Sequence, residues 1–361
     1  MTNTETLVFV GTYTMKMGHV DGKAKGVDVF RLDMETGALS PVSKLDGQEN
    51  PAYLDISPDG KFLYIANELD KGMVTACSIA PENGQLSVLN TRAAQGKDSA
   101  HIAVHENGHY AFVANYSSGN FTVYPIQEDG SLGEATAHIQ HEGSSINKAR
   151  QETAHAHCVA IDSAKNRIFV ADLGMDKIMM YDFDAGKGRL SPAKQAFIDV
   201  QAGAGVRHLV FHPSYKWLFA INELDSTIIV FDYEREAGSL EAKQTISTLP
   251  DDFTGESTCA AIHVHPSGKF VYGSNRGHDS IAIFAIDEQS GKLSVVGYES
   301  TQGKTPRDFG IDPSGAFLLA ANQDTDTIVT FRIDSETGKL EDVGQKLETM
   351  TPVCVKFLRI G

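Results

Sequence analysis

Residues 50–69 read NPAYLDISPDGKFLYIANEL. Two short runs, PAYLDI and KFLYIAN, flank the tetrapeptide Ser57-Pro58-Asp59-Gly60. Proline presets φ, glycine accepts the positive φ of a tight reversal, and the β-branched and aromatic residues on either side suit a pleated surface. The stretch is therefore expected to be a β-hairpin. One hairpin alone cannot bury its apolar faces.

The chain repeats the pattern on both sides of this hairpin. An acidic or polar turn followed by Gly-x-Leu ends at Leu39, Leu86, Leu132, Leu190, Leu240, Leu293 and Leu340. An apolar run ending in a small polar residue closes at Thr12, Asn67, Asn115, Asp172, Asn222, Asn275 and Asn322, and the two markers alternate throughout. Successive Gly-x-Leu markers stand 46 to 58 residues apart. Each unit holds about four strand-like runs and no stretch of helical periodicity, which is the period of a propeller blade.

The expected fold is all-β: a seven-bladed β-propeller of four-stranded antiparallel blades, with residues 1–361 as one domain. Within a blade, strand a resembles YLDI and lines the channel, strand b resembles FLYIAN, strand c resembles VTACSI, and strand d follows Gly-x-Leu. The phrase TPVCVKFL at 351–358 copies the strand-a phrase TPRDFGID at 305–312, whereas the N-terminus begins with the strand-b phrase TLVFVGTY. The first blade is thus expected to take its innermost strand from 351–358. Pairing the two chain ends this way removes an open sheet edge.

At 361 residues, 41% hydrophobic and 22% charged, the composition is that of an ordinary globular protein. The start, MTNTETLVFVGTYT, has no basic leader, no continuous apolar run and no small-residue cleavage pattern, so a cytoplasmic location without a membrane span is expected. Cys77, Cys158, Cys259 and Cys354 stand apart in strand-like runs, the pattern of buried free thiols. A formal net charge of -16 argues against nucleic acid and anionic membrane as partners, so any basic patch must be local. A closed ring offers no free edge, and a monomer is expected.

His105-Glu106-Asn107-Gly108-His109 matches the zinc string HExxH, but that chemistry requires a helix and this string falls at the turn position that the hairpin at 50–69 fills with Ser57-Pro58-Asp59-Gly60. His263 and His265 share one face of a strand by their spacing, with no third ligand evident nearby. No metal or other cofactor is expected. There is no GxSxG elbow, P-loop or GxGxxG, so serine-nucleophile and nucleotide chemistry have no support.

Overlaying the units is more informative. In a propeller the loop entering strand a and the loop leaving strand b open on the same face. The position of Ala52 becomes Ala100, His157, Arg207, Ala260 and Arg307 in later units, and the position of Glu68 becomes Tyr116, Leu173, Glu223, Arg276 and Gln323. Arginines, acids and a histidine are thereby gathered at one mouth of an acidic protein, where buried charge must be paired or functional. The same charges can also form an ion-pair network tying adjacent blades. Asn115 and Gln323, at the same mouth, suit sugar hydroxyls or turn capping. The segment 133–154, carrying His138, His141, Lys148 and Arg150, enters the fourth blade on this face as a lid or a plain surface loop.

The phrases ENPAYLDISPDGKFLYIANE, ANYSSGNFTVY, QETAHAHCV, GVRHLVFHP, INELDSTI, SNRGHDSIAIF and TPRDFGIDPSG resemble the lactonase family of seven-bladed propellers. That family includes propeller-type 6-phosphogluconolactonases and the fungal carboxy-muconate lactonizing enzyme. The resemblance implies a catalytic group of His157, Arg207, Glu223 and Arg276, with His155 as the competing histidine and Arg307 as a further family position. It implies hydrolysis of a small anionic sugar lactone, 6-phosphogluconolactone of the pentose phosphate pathway foremost. Glu223 or His157 would be general base, Arg207 the oxyanion donor, and Arg276 and Arg307 the phosphate holders. Lactonization of a muconate, or ligand binding without turnover, are the alternatives. Where relatives often carry an acid, this chain has Ala261, which leaves substrate identity looser.

Overall fold

The hairpin at 50–69 forms as its residues dictate. In the computed structural model, which describes residues 5–360, Pro51–Ile56 pairs antiparallel with Phe62–Asn67. Ser57 N donates to Phe62 O and Gly60, at φ 71°, closes the turn on Ser57 O at 2.8 Å. Met73–Ile79 and Leu86–Ala93 complete the blade outward.

Among the described residues there are seven such four-stranded antiparallel sheets and one two-stranded insert, so the fold is the seven-bladed β-propeller read from the repeats. The innermost strands neighbour one another in ring order, with Pro352–Ile360 between Pro306–Ile311 and Pro51–Ile56. Pro352–Ile360 is also the inner strand of the first blade, antiparallel to Glu5–Thr12 from Glu5↔Ile360 to Gly11↔Cys354. Residues 1–4 and 361 lie outside the described residues.

Apolar cores sit between blades. Trp217 and Phe219 of blade 5 pack with Val271 and Phe284 of blade 6. Val8, Val10 and Phe30 of blade 1 pack with Phe317 and Leu319 of blade 7, so the closing seam has a core of its own. The Gly-x-Leu marker proves to be an inter-blade joint. A Cβ on Gly291 (φ 71°) would stand 2.3 Å from the Trp217 ring of the preceding blade, which only glycine avoids. Side-chain amides of the preceding blade bracket the leucine backbone: Asn90 on Leu132, Gln195 on Leu240, Gln244 on Leu293.

Blade 3 departs from the expected strand d. Leu132 makes only an isolated bridge to Ile126, and the outer strand is Ala137–Gln140. The Leu132 carbonyl is taken by both Asn90 and Arg92 of blade 2, while Gly133 N turns back onto Pro125 O. These contacts draw the chain off the sheet before it rejoins. His265 also differs from expectation, lying in the turn after Thr258–Val264 with Nε2 2.9 Å from Gly315 O rather than beside His263 on the strand. The HExxH string is a turn, with Gly108 N donating to His105 O at 2.8 Å.

Candidate active site

Pairing between strands a and b breaks register at the same end of every blade. In blade 4 it passes from Ala156↔Asp172 to Cys158↔Ala171 and leaves out His157. In blade 5 it leaves out Arg207, and in blade 7 Arg307. Val353, Ala52 and Ala100 are the unpaired residues of blades 1 to 3, and Ala260 with Ala261 those of blade 6. A bulge re-aims the side chain it frees from the ladder. Here the bulges of six blades each turn one residue toward the channel mouth, small ones in blades 1 to 3 but a histidine and two arginines in blades 4, 5 and 7.

Six of these residues, with Glu68, His208 and Asp308 among their neighbours, line a niche of about 10 Å³, which is about the room of one water. Above it lies a cavity of about 560 Å³, which shares Ala100, His157, Glu68 and Arg307 with the niche and is bordered also by Tyr116, Arg150, Glu223 and Arg276. Among the described residues no group of three or more His, Cys, Asp or Glu stands close enough to hold a metal.

Glu223 is the hub. Its Oε2 accepts from Arg207 Nε at 2.9 Å and meets Arg276 Nη2 at 3.0 Å, while Oε1 meets Arg150 Nη2 at 2.5 Å. Burial by itself raises the Glu223 carboxyl, but Arg276, Arg207 and Arg150 outweigh it and hold the group well below the usual carboxylate range. A carboxylate so held has little affinity for a proton. Arg207 is fixed further by Nη1, which donates to Ala260 O at 2.7 Å and stands 3.2 Å from His208 Nε2. Burial, then the neighbouring Arg276 charge, brings Arg207 down to about 10, so it stays a cation at neutral pH.

His157 is different. Its Nδ1 is sealed without a hydrogen-bond partner, and burial followed by the Arg207 charge lowers the ring well below the ordinary histidine range. At neutral pH it is an uncharged imidazole, and Nε2 is the nitrogen left to meet a water. Arg307 makes no hydrogen bond among the described residues; its guanidinium stands 5.3 Å from the Tyr13 ring centre and 4.0 Å from Glu68 Oε2. Tyr13 OH in turn donates to Glu68 Oε2 at 2.6 Å.

The sequence therefore brings His157, Arg207, Glu223, Arg276 and Arg307 together. It does not bring Asn115, Gln323 or His155 to the cavity. Asn115 is fully buried inside its blade, donating to Ala94 O and Asn120 Oδ1 and accepting from Ser99 Oγ, so it has no face for a sugar hydroxyl. Gln323 turns its amide onto Asp324, with Oε1 sealed from solvent. His155 stacks behind Tyr116 at 4.5 Å and contacts Glu152, which supports the cavity wall without bordering it.

Over residues 7–357 the sequence matches the family described as Lactonase, 7-bladed beta-propeller. The chain belongs to this family. It is similar to a Bacillus subtilis 6-phosphogluconolactonase, 37% identical over 85% of both chains, and to one from Formosa agariphila, 36% identical over 84% of this chain and 86% of that one. Among solved structures, a candidate 6-phosphogluconolactonase from Bacteroides fragilis is 37% identical with a TM-score of 0.91 over 99% of both chains. The periplasmic gluconolactonase PpgL of Pseudomonas aeruginosa is 30% identical with a TM-score of 0.92, covering 99% of this chain and 100% of that one.

In this lactonase propeller the overlay of repeat positions passed over Arg150 and His19, which border the cavity, and Tyr13, which is buried behind it against Glu68 and Arg307. Arg150 sits in the 133–154 segment, part of which forms the outer strand Ala137–Gln140 and part of which is tied to blade 4. His141 anchors it on Asp172 Oδ2 at 2.7 Å and on Tyr181 OH at 3.0 Å, and Gln151 ties it to Leu173 O. Tyr13 follows the first strand-b marker and would have emerged had the overlay begun with blade 1. His19 lies on a two-stranded insert, Lys16–Met17 with Val20–Asp21, between strands b and c of that blade. Nothing in the repeat pattern announces it.

Proposed function

We propose that this lactonase propeller hydrolyses a phosphorylated sugar lactone, 6-phosphogluconolactone being the leading candidate, in a cytoplasmic setting suited to its four buried free thiols. The observation that carries the reading is Arg307. A guanidinium with its side chain only 15% exposed, facing Glu68 at 4.0 Å but making no hydrogen bond among the described residues, keeps its donors free for a second anion, and its planar fork suits a phosphate. The relatives named 6-phosphogluconolactonase support the same substrate class, while PpgL is named for the unphosphorylated lactone.

In this reading Arg276 and Arg307 hold the phosphate while the lactone carbonyl lies over the niche. Neutral His157 takes a proton from a water in the niche as that water attacks the carbonyl carbon. Charge builds on the carbonyl oxygen, where Arg207, held on Nε and Nη1, offers Nη2. The ring C–O bond then breaks, and His157 returns the proton to the leaving alkoxide, giving a hydroxy acid that loses its carboxyl proton to water. Glu223, bound by three arginines, orients them rather than acting as base. A general base contributes about 10²–10⁴-fold and an oxyanion donor about 10²–10³-fold, enough together for an activated ring ester.

Arg307→Ala is expected to raise KM for 6-phosphogluconolactone about tenfold or more, and KM for unphosphorylated gluconolactone less than about twofold. Equal effects on the two would remove the phosphate-holding role. A chain that turns over a muconate and neither lactone would be a lactonizing enzyme instead, and one that only binds anions would be a binder.

A further inference from the structure

The insert at Lys16–Met17 and Val20–Asp21 belongs to no blade, yet Met17, Gly18 and His19 border the cavity. It is pinned from below. Asn50, itself in the left-handed region at φ 38°, accepts from Thr14 N and Met15 N through Oδ1, each at 3.0 Å, and donates through Nδ2 to Glu68 O. The insert is therefore a fixed roof that sets one side chain, His19, over the arginine end of the cavity.

Hydrogen-bond direction fixes the state of that imidazole. Tyr13 has one hydroxyl proton and donates it to Glu68 Oε2 at 2.6 Å, so toward His19 Nε2, 3.4 Å away, the phenol oxygen can only accept. His19 accordingly carries its proton on Nε2 and presents a bare lone pair at Nδ1. A lone pair repels an anion. An anion seated beside His19 is accommodated when Nδ1 takes up a proton, which turns the ring into an imidazolium and adds a charge-assisted donor.

We propose that His19 is a further substrate-binding residue of this lactonase propeller, reading the distal dianionic group of the substrate as an imidazolium formed on binding. The inference rests on the anionic-substrate reading above and adds a proton-linked contact to it. The groups facing His19 are Tyr13 and Glu68 beneath it, Arg307 and Arg276 across the cavity, and Asp98 and Glu223 farther round the rim. Without a ligand, partial withdrawal from water and then the Arg307 and Arg276 charges bring His19 down to about 4. A dianion between those arginines neutralises the opposing charge and restores the ring's basicity.

Sulfate tests this, because it is a dianion that does not itself titrate near neutrality. Calorimetric titration of the full chain at pH 6, repeated in buffers of different ionisation enthalpy, is expected to show about one proton taken up per sulfate bound. His19→Gln, which keeps a donor toward Tyr13, is expected to lose that uptake and to bind sulfate about five- to tenfold more weakly. In the unmodified chain, the NMR titration midpoint of His19 is expected to rise by about three pH units when sulfate saturates, the rise that uptake of about one proton at pH 6 requires. Sulfate bound without proton uptake would overturn the role of His19 and leave the arginine cavity standing; uptake unchanged in His19→Gln would do the same and make Asp98 the group that titrates. No sulfate binding at all would overturn both. Proton-linked sulfate binding in a chain that hydrolyses no lactone would keep this inference and remove the hydrolase reading.

Discussion

Glu223 shows how one side chain decides the electrostatics of this mouth. Its side chain is 6% exposed and touches three arginines, so its loss leaves Arg207 and Arg276 as buried charges without a counter-ion. Breaking a buried pair from one side costs about 3–5 kcal/mol, far more than a surface pair is worth. Glu223→Gln is therefore expected to lower unfolding free energy in urea by about 3 kcal/mol as well as to depress activity. The folded carboxyl lies below its unfolded value, so its contribution is present above about pH 4.3 and is lost as pH falls through the folded value. A Glu223→Gln variant as stable as the parent at pH 7, and equally acid-sensitive, would show that the three contacts contribute nothing. Glu223, Arg207 and Arg276 were legible in the sequence because each falls at a repeat position, whereas Arg150 lies in a segment that occurs once. Their ranking was not: Glu223 and His157 stood as equal candidates for base until the distances to Arg150, Arg207 and Arg276 were known.

At the scale of elements, the bulge and the insert do the positioning. The overlay found the right column of residues, yet a regular ladder would alternate side chains between the two faces of each blade. The slip at His157, Arg207 and Arg307 releases those three from that alternation, and register of this kind cannot be read from residue types. Asn115 marks the converse failure, because an asparagine ending strand b looks the same whether it faces solvent or, as here, bonds across the blade interior to Ala94 O. The insert depends on Asn50, which tolerates a positive φ and satisfies two backbone donors. Asn50→Ala is expected to cost about 1–3 kcal/mol and to raise KM more than it lowers kcat, as the roof loses its anchor. Steady-state kinetics with a parallel melting curve would check this, and an unchanged KM would detach the roof from substrate binding.

For the whole molecule, closure and the channel set the stability. The last blade packs on a first blade whose inner strand comes from the other end of the chain. Removing the last ten residues exposes an inner edge and the apolar face of the closing seam. The truncated chain is expected to melt well below the full-length temperature or to fail to fold; equal melting temperatures would contradict the closure. The channel holds His101, His157 and His208 stacked edge to face, His157 to His208 at 5.2 Å and His208 to His101 at 5.6 Å between ring centres. Burial lowers all three well below the ordinary range. Because the unfolded chain binds those protons first, the stability they confer is complete above about pH 6.5 and falls as pH drops, by up to about 1.4 kcal/mol per pH unit for each ring. Urea unfolding between pH 5 and 8 measures this, and a flat profile below pH 6.5 would contradict it. The seven-fold repeat and its closure were legible in the alternating markers because each blade reuses the same turn chemistry. The insert and the path of segment 133–154 were not, since they occur once.

Steady-state hydrolysis of freshly prepared 6-phosphogluconolactone, corrected for its spontaneous opening, by the full chain and by His157→Gln bears most directly on the claim that the bulge ring assembles a hydrolytic site. The full chain is expected to open the lactone far faster than buffer, and His157→Gln to lose about 10²–10⁴-fold in kcat with KM nearly retained. A full chain no faster than buffer, or a His157→Gln variant as fast as the parent, would contradict it.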